Sequence, residues 1–163
     1  MFKDDSPFFS GVRAVVQKMH SISSKKLTPY GLNRLEMRIL LKVYEKNGIR
    51  QRDIVFESGS KAVGIGIAVK ALIKKGYIVR QPDISDRRMQ RVFVTEYGLE
   101  VKNELIELKS SVEKFVVMGI DPEELLLMER ITSKMENWIT ANDFEHYIEN
   151  QQTKGSAYVE SRN

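Results

Sequence analysis

The sequence contains no cysteine, and this absence excludes several kinds of protein. Without thiols the chain can form no disulfide framework, no thiolate metal site and no thiol-based redox switch. Histidine is scarce as well, with two residues in 163. His20 and His146 fall on different predicted helices and have no partner at ligand spacing, so the sequence predicts neither a metal site nor a catalytic dyad.

Long apolar runs and phosphate-binding glycine loops are also missing. No run approaches the roughly 18 apolar residues of a membrane span, and the first ten residues show no signal-peptide core. Gly64 and Gly66 lack the rest of either nucleotide-binding fingerprint, and Glu123-Glu124 is explained by a helix start. We therefore predict a cytoplasmic protein that is not an enzyme and uses no cofactor.

The charge of the chain is unevenly distributed. The composition, 42% hydrophobic and 29% charged with a net charge of +4, is that of a folded protein, and its 163 residues fit either one domain or a small domain plus long helices of its own. Residues 50–91 contain ten Lys and Arg against four Asp and Glu, whereas residues 97–150 contain five against twelve. Lys and Arg neutralise phosphate, so this division is typical of a DNA-facing module joined to one that does not face DNA. Solvated helix faces would give the same counts.

Apolar spacing predicts four helices in the first half of the chain. Ser6 is the expected N-cap of the first, with Pro7 at its first helical position. Polar residues 21–26 follow that helix, Asn47-Gly48 ends the second, and residues 58–60 form a turn between the third and fourth. The predicted ranges are 8–20, 32–44, 51–57 and 61–75.

The pattern then changes to short runs rich in Val, Ile, Tyr and Phe, which predict a β-hairpin. Its expected strands are 77–80 and 91–95. A long helix is predicted over 97–118, and residues 121–124 start a last helix that ends near Tyr147, with Asp as N-cap, Pro at N1 and Glu at N3.

Two short helices joined by a tight turn and followed by a basic hairpin make a winged helix-turn-helix, in which the second helix enters the DNA major groove. Arg80, Arg87, Arg88 and Arg91 surround the hairpin. A helical domain with an incidental hairpin gives no reason for that placement. The expected fold class is mainly α with a small β-hairpin.

Several short segments between residues 27 and 98 have a recognisable order and spacing. They are Leu27-Thr28, residues 35–41, Gln51-Arg52-Asp53-Ile54, the run 72–80, the wing Asp83-Ile84-Ser85-Asp86-Arg87-Arg88 and Thr95-Glu96-Tyr97-Gly98. In order and spacing this series resembles the multiple-antibiotic-resistance regulator (MarR) family of winged helix-turn-helix transcription regulators. The resemblance implies a bacterial homodimer that binds double-stranded DNA at a pseudo-palindromic operator and represses transcription. It also implies that N- and C-terminal helices form the dimer interface.

The wing is the expected minor-groove contact. Arg87 or Arg88 at a hairpin tip can enter a minor groove, whose negative potential favours guanidinium, while Asp86 fixes the backbone or a second arginine. A surface ion-pair cluster explains the composition but not the placement. The expected DNA contacts are Lys61, Val63, Gly64, Gly66, Ile67, Lys70, Arg80, Asp86, Arg87, Arg88 and Arg91.

The fourth helix departs from the family pattern, in which Ser, Thr and Arg are usual on the exposed face. This chain has there Val63, Gly64, Gly66 and Ile67. A glycine costs a helix interior about 0.8 to 1 kcal/mol against Ala, so close approach of the backbone to DNA is one explanation and a packing glycine is another. Val63 and Ile67 suit thymine methyls, and Lys61 and Lys70 suit phosphate or guanine, which leaves specificity to DNA shape and the wing.

Apolar residues beyond the winged domain predict a dimer. Residues 115–118 are consecutively apolar, and the apolar residues within 125–139 form a wide stripe along the predicted last helix. A helix that packs only against its own domain would need only part of that stripe. The expected interface residues are Phe8, Phe9, Val12, Phe115, Leu125, Met128, Ile131, Met135 and Trp138. A monomeric bundle in which the first and last helices cover each other is the alternative.

These expectations divide the chain into a dimerisation helix (1–27), a winged domain (28–96), C-terminal dimerisation helices (97–149) and a disordered polar tail (150–163). The family also implies a small-molecule effector, often an anionic aromatic compound. Candidate lining residues, each with core packing as its other role, are Met19, His20, Tyr30 and Met37. The alternative function is a winged-helix module that coats DNA without sequence preference or binds a protein partner.

Overall fold

Helices make up most of the chain, together with one small sheet. A computed structural model describes residues 6–58 and 60–143, and the chain divides into two compact units, residues 1–116 and 117–163. The elements are α1 (Pro7–Leu27), a 3-10 turn (Thr28–Tyr30), α2 (Arg34–Glu45), β1 (Ile49–Arg50), α3 (Gln51–Ser58), α4 (Ala62–Lys74), β2 (Ile78–Pro82), β3 (Gln90–Val94), α5 (Glu96–Glu100), α6 (Lys102–Val117) and α7 (Pro122–Ala141).

The predicted hairpin is confirmed as part of a three-stranded antiparallel sheet in the order β1-β3-β2. Strands β2 and β3 pair with Val79 opposite Phe93, and β1 pairs with β3 through Ile49 opposite Val92. Strand β1 was not expected, because two residues are too few to show an alternating pattern. The fold is the predicted winged helix-turn-helix, with one more strand than the sequence indicated.

Helices α2, α3 and α4 and the sheet enclose the core. Helix α4 directs Ile65, Ala68, Val69 and Leu72 into it, at the spacing of one helical face. Each fully buried Leu, Ile or Val stabilises the fold by about 1.5 to 3 kcal/mol. Other side chains at most 1% exposed are Leu27, Ile39, Leu40, Val43, Ile49, Ile54, Tyr77, Ile78, Val92 and Leu105.

A buried carboxylate fixes the end of α4 against the start of α2. Glu36 is 3% exposed, and its Oε2 accepts hydrogen bonds from the backbone N–H of Asn33 at 2.8 Å and from Lys75 Nζ at 2.6 Å. Asn33 Oδ1 accepts from the Glu36 N–H at 2.9 Å, which completes a capping box. The contact determines where the C-terminal end of α4 lies on the core.

The first helix is longer than predicted, since α1 continues through residues 21–26 to the buried Leu27. Polar residues obscured this continuation because the helix is exposed there and needs no apolar period. Ser23 Oγ donates to the Met19 carbonyl at 2.8 Å, so the hydroxyl bonds within the helix. Lys25 and Lys26 occupy the last turn, where cations favour the helix dipole.

The single helix predicted over 97–118 is wrong, because α5 ends at Glu100 and α6 begins at Lys102. Helix α5 closely approaches Tyr77, the residue before β2, and Val94 at the end of β3. A Cβ at Gly98 would overlap the Tyr77 carbonyl oxygen, and the Gly98 N–H donates to the Thr95 hydroxyl at 3.0 Å. Helix α5 is thereby held against the winged domain, and Val101, at φ −90° and ψ 0°, lets the chain turn into α6.

The start predicted for the last helix is confirmed in the second unit. Pro122 is the first residue of α7, and the Asp121 N–H donates to Glu124 Oε2 at 3.1 Å. The predicted end near Tyr147, His146 and the tail 150–163 lie outside the described residues. Within the described part of the chain no helix has the length and apolarity to cross a membrane, and no cluster of side chains suits a metal ion.

Candidate nucleic-acid interface

The outward face of α4 carries the predicted contact residues of that helix. Val63 is 75% exposed and Ile67 65%, and Lys61 and Lys70 are exposed beside them. Residues 63, 67 and 70 share one face because they are four and three positions apart. The core holds the opposite face, so α4 is anchored on one side and open on the other.

The two glycines of α4 are not packing glycines within this chain. A Cβ at Gly64 would meet no atom within 4 Å, and one at Gly66 would lie 3.9 Å from Gln51 Nε2, an ordinary contact. Neither has a positive φ. Among the described residues, therefore, no packing contact explains either glycine, and neither has a backbone conformation that requires one.

The wing ends in a tight turn that presents two arginines. The Met89 N–H donates to the Asp86 carbonyl at 2.9 Å, and the Arg88 N–H donates to Asp86 Oδ1 at 3.0 Å. Asp86 thus fixes the backbone of the turn. Arg87 and Arg88 are exposed at its tip, and the fully exposed Ile84 precedes them.

Asp83 is the buried centre of the wing, 3% exposed. Its Oδ1 accepts from the Ser85 N–H at 2.8 Å and the Ser85 hydroxyl at 2.6 Å, and its Oδ2 accepts from Arg91 Nε at 2.6 Å. Arg50 Nε lies 3.4 Å from the same Oδ2. The hydrogen bonds from Ser85, followed by those from Arg91, hold the pKa of Asp83 well below its usual range.

Arg91, expected to contact DNA, instead holds the base of the wing. Besides its bond to Asp83, its Nη1 donates to the Gly48 carbonyl at 2.8 Å, so the guanidinium joins β3 to the turn before β1. The sequence showed the charges of Asp83 and Arg91 but not their pairing across a turn. Asp83 belongs to the wing segment that resembles the MarR family, but no role was predicted for it. Its position eight residues before Arg91, across a predicted hairpin, was the only sequence feature that pointed to their pairing.

Arg80, also an expected contact, is half-buried on β2. Its Nε is buried and has no acceptor among the residues that the structure describes. It lines a cleft with Arg50, Arg52 and Arg88, which the sequence analysis had not connected.

Two of the four expected effector residues come together. Met19 and Met37 line a pocket of about 150 Å³ with Arg34 and Arg38. Tyr30 is instead bonded to Glu104 Oε2 through its hydroxyl at 2.6 Å, which raises the pKa of Tyr30. His20 is not among the lining residues, and its pKa is lowered by desolvation and by Arg34.

The expected dimer residues are exposed or half-buried. Phe8, Phe9 and Phe115 are 50%, 55% and 63% exposed in the first unit, and Val12 is exposed beside them. In α7, the exposed members are Met128, Ile131 and Trp138, and the half-buried ones are Leu125 and Met135.

Residues 30–89 match the family model described as the MarR family. Over these residues, which span the winged-helix domain, the chain is similar to the MarR family. Members of this family are transcription regulators, and the match extends from the start of the winged domain to the wing turn. A search of curated protein sequences finds no match.

Solved MarR structures share the fold. A MarR protein from Peptoclostridium difficile is 22% identical, with a TM-score of 0.78 over 85% of this chain and 91% of its own. A MarR regulator from Methanosarcina mazei Go1 is 22% identical, with a TM-score of 0.72 over 82% and 96%. A mutant MarR from E. coli complexed with operator DNA is 17% identical, with a TM-score of 0.72 over 79% and 93%. At these identities the likeness establishes the fold.

The buried Asp83 predicts a pH-dependent contribution to stability. Its pKa is lower in the folded state than the ordinary 3.8, so the ionised carboxylate stabilises the fold at neutral pH. That contribution is lost as the pH falls below 3.8 toward the folded value. We expect Asp83→Asn to melt well below the native chain at pH 7, with the gap narrowing below pH 3.8.

Asp86→Asn is the matched control, because an amide oxygen can still accept the Arg88 N–H. Its melting temperature should stay near that of the native chain across the series. If the melting temperatures of Asp83→Asn and of the native chain changed in parallel from neutral to acid pH, the stabilising role of the Asp83 carboxylate would be contradicted.

Proposed function

We propose that the chain is a dimeric, sequence-specific DNA-binding transcription regulator that represses by covering its operator. The main supporting observation is the outward face of α4, which has no packing role and lies in the same domain as an arginine-tipped wing. A B-DNA major groove is about 12 Å wide and admits one helix. The operator complex of the similar E. coli MarR supports the same use of this fold.

The two contact elements suit different features of DNA. Val63 and Ile67 can pack on thymine methyls, with Lys61 and Lys70 beside them for phosphate or guanine. Arg87 and the neighbouring Arg88 suit a narrow minor groove. Few side chains of α4 can therefore form direct contacts with bases. Sequence specificity then depends largely on the shape of the DNA.

The first experiment replaces both wing-tip arginines. Arg87→Ala with Arg88→Ala should weaken binding at least tenfold at low salt and flatten the dependence of affinity on salt, because fewer counterions are released. The operator for this measurement comes from selection out of a random DNA pool. A double variant that melts normally and keeps both the affinity and the salt slope would refute the wing contact.

The same selection tests sequence specificity. A regulator should prefer its site over random DNA by roughly 10³-fold or more. Equal affinity for selected and random duplexes would favour the alternative, a winged-helix protein that coats DNA.

A second experiment concerns Gly64 and Gly66. Alanine fits both positions, so Gly64→Ala and Gly66→Ala should each raise stability by up to about 1 kcal/mol. If the protein backbone approaches DNA closely at these two glycines, the same methyl groups should lower the affinity for DNA. Melting temperature and DNA affinity are measured on the same variants. More stable variants with normal affinity would show that the glycines are only tolerated.

The exposed apolar stripes support the proposed dimer. In α1, Phe8, Val12, Val15 and Val16 repeat at helical spacing and are all exposed. Light scattering should give about twice the 18.8 kDa chain mass at micromolar concentration. Trp138→Glu should shift the mass toward the monomer, whereas Phe56→Glu, at an 89% exposed position of α3, should not. A native chain of monomer mass would refute the dimer.

A small anionic effector is the last part of the proposal. The pocket beside Met19 and Met37 combines thioether side chains with the cations of Arg34 and Arg38. Benzoate at millimolar concentration should raise the melting temperature of the native chain and not that of Arg34→Gln. An equal shift in both proteins, or none in either, would remove the pocket from the proposal.

A further inference from the structure

A cleft of about 460 Å³ lies between α3 and the wing. Within the described part of the chain no acidic residue lines it, and four arginines do: Arg50, Arg52, Arg80 and Arg88. They come from β1, α3, β2 and the loop before β3, so the fold rather than local sequence brings them together. Like charges raise the free energy of such an arrangement, and an anion in the cleft lowers it.

The charges of these arginines are only weakly compensated. Arg50 Nε is 3.4 Å from Asp83 Oδ2, and Arg52 Nε is 3.5 Å from Asp53 Oδ1, which are long contacts for ion pairs. Arg80 has no ion pair within residues 6–58 and 60–143, and its buried Nε has no acceptor. A buried donor without an acceptor is unfavourable, and an oxyanion in the cleft adds a favourable charge interaction with the Arg80 guanidinium that carries it.

The beginning of α4 reaches the same cleft. Ala62, the first residue of that helix, is among the lining residues, and the N-cap Lys61 provides no side-chain acceptor for the first-turn N–H groups. Helix N-termini carry partial positive charge and favour anions. This feature adds to the arginine cluster and the unpartnered Nε of Arg80.

We infer that the cleft binds a backbone phosphate of the DNA, on the strand that separates the major groove entered by α4 from the minor groove approached by the wing. The inference rests on the proposed function, since one sugar-phosphate backbone must pass between two elements in adjacent grooves. Guanidinium groups match phosphate oxygens in pairs of hydrogen bonds. A phosphate contact does not depend on the DNA sequence. It adds affinity to a protein whose helix α4 is mainly apolar.

The test compares Arg80→Gln and Arg52→Gln with the native dimer on selected operator DNA and on a random duplex of equal length. Each variant should lose affinity by the same factor on both duplexes, about tenfold at low salt, and its salt slope should fall by about one. Arg52 is 56% exposed, so its variant keeps the test valid even where Arg80→Gln melts early. Arg130→Gln, at an exposed position of α7, removes the same charge elsewhere and should bind as the native chain does.

Neutral methylphosphonates, introduced one at a time in the operator, then locate the phosphate. Native protein should lose affinity most strongly at one position in each half-site, and the Arg80→Gln protein should lose nothing further there. Fully additive losses at every position would overturn the inference. The inference would also be overturned if Arg80→Gln and Arg52→Gln bound DNA as tightly as the native chain does. In that case the proposed DNA-binding function would still stand.

Two further outcomes separate the possible sources of phosphate. The first measurement is the melting temperature in inorganic phosphate, compared with chloride at equal ionic strength. If phosphate stabilises the native protein but not Arg80→Gln, and that variant also binds DNA with unchanged affinity, the cleft binds a free anion. That pair of results would overturn the DNA contact. Native protein that binds no duplex at low salt would refute the proposed function and this inference together.

Discussion

The geometry of the wing depends on one buried carboxylate between two arginines. Arg50 on β1 and Arg91 on β3 are partners in the sheet register, and like charges directly opposite each other destabilise a strand pair. Asp83 Oδ2 accepts a hydrogen bond from Arg91 Nε at 2.6 Å and lies 3.4 Å from Arg50 Nε, so the carboxylate offsets part of the repulsion between the two strands. Because the Ser85 hydrogen bonds favour the ionised form, this carboxylate remains charged at neutral pH.

Several features follow from these contacts. The short strand β1 stays paired with β3, the wing turn starts from a fixed point, and Arg91 is engaged at the base of the wing rather than at its tip. The same geometry brings Arg50 and Arg80 to one cleft. A single buried acid therefore fixes the positions of several arginines on this surface.

Local signals made the central elements predictable from sequence. The range of α4 came within a few residues of the observed one because its apolar side chains repeat at helical spacing, and that of the hairpin because its strands are rich in Val, Ile, Tyr and Phe. The start of α7 was predictable because Asp, Pro and Glu each act locally at a helix N-terminus.

The elements missed by sequence analysis depend on contacts between distant residues. Helical propensity favours one helix after Thr95, and the break at Val101 accompanies the packing of Gly98 against Tyr77. The site shows the same limit, because charge counts located the basic segment but did not distinguish the engaged Arg91 from the unpartnered Arg80.

The one-sided anchoring of α4 has a consequence for how such a protein changes over generations. The inward face and the Glu36–Lys75 contact maintain the fold, while Val63 and Ile67 contribute almost nothing to it. Substitutions on the outward face therefore carry little stability penalty. Under the proposed DNA-binding function, selection can alter the preferred DNA site through this face without first having to acquire compensating mutations, so a duplicated copy of the gene is free to diverge toward a new operator.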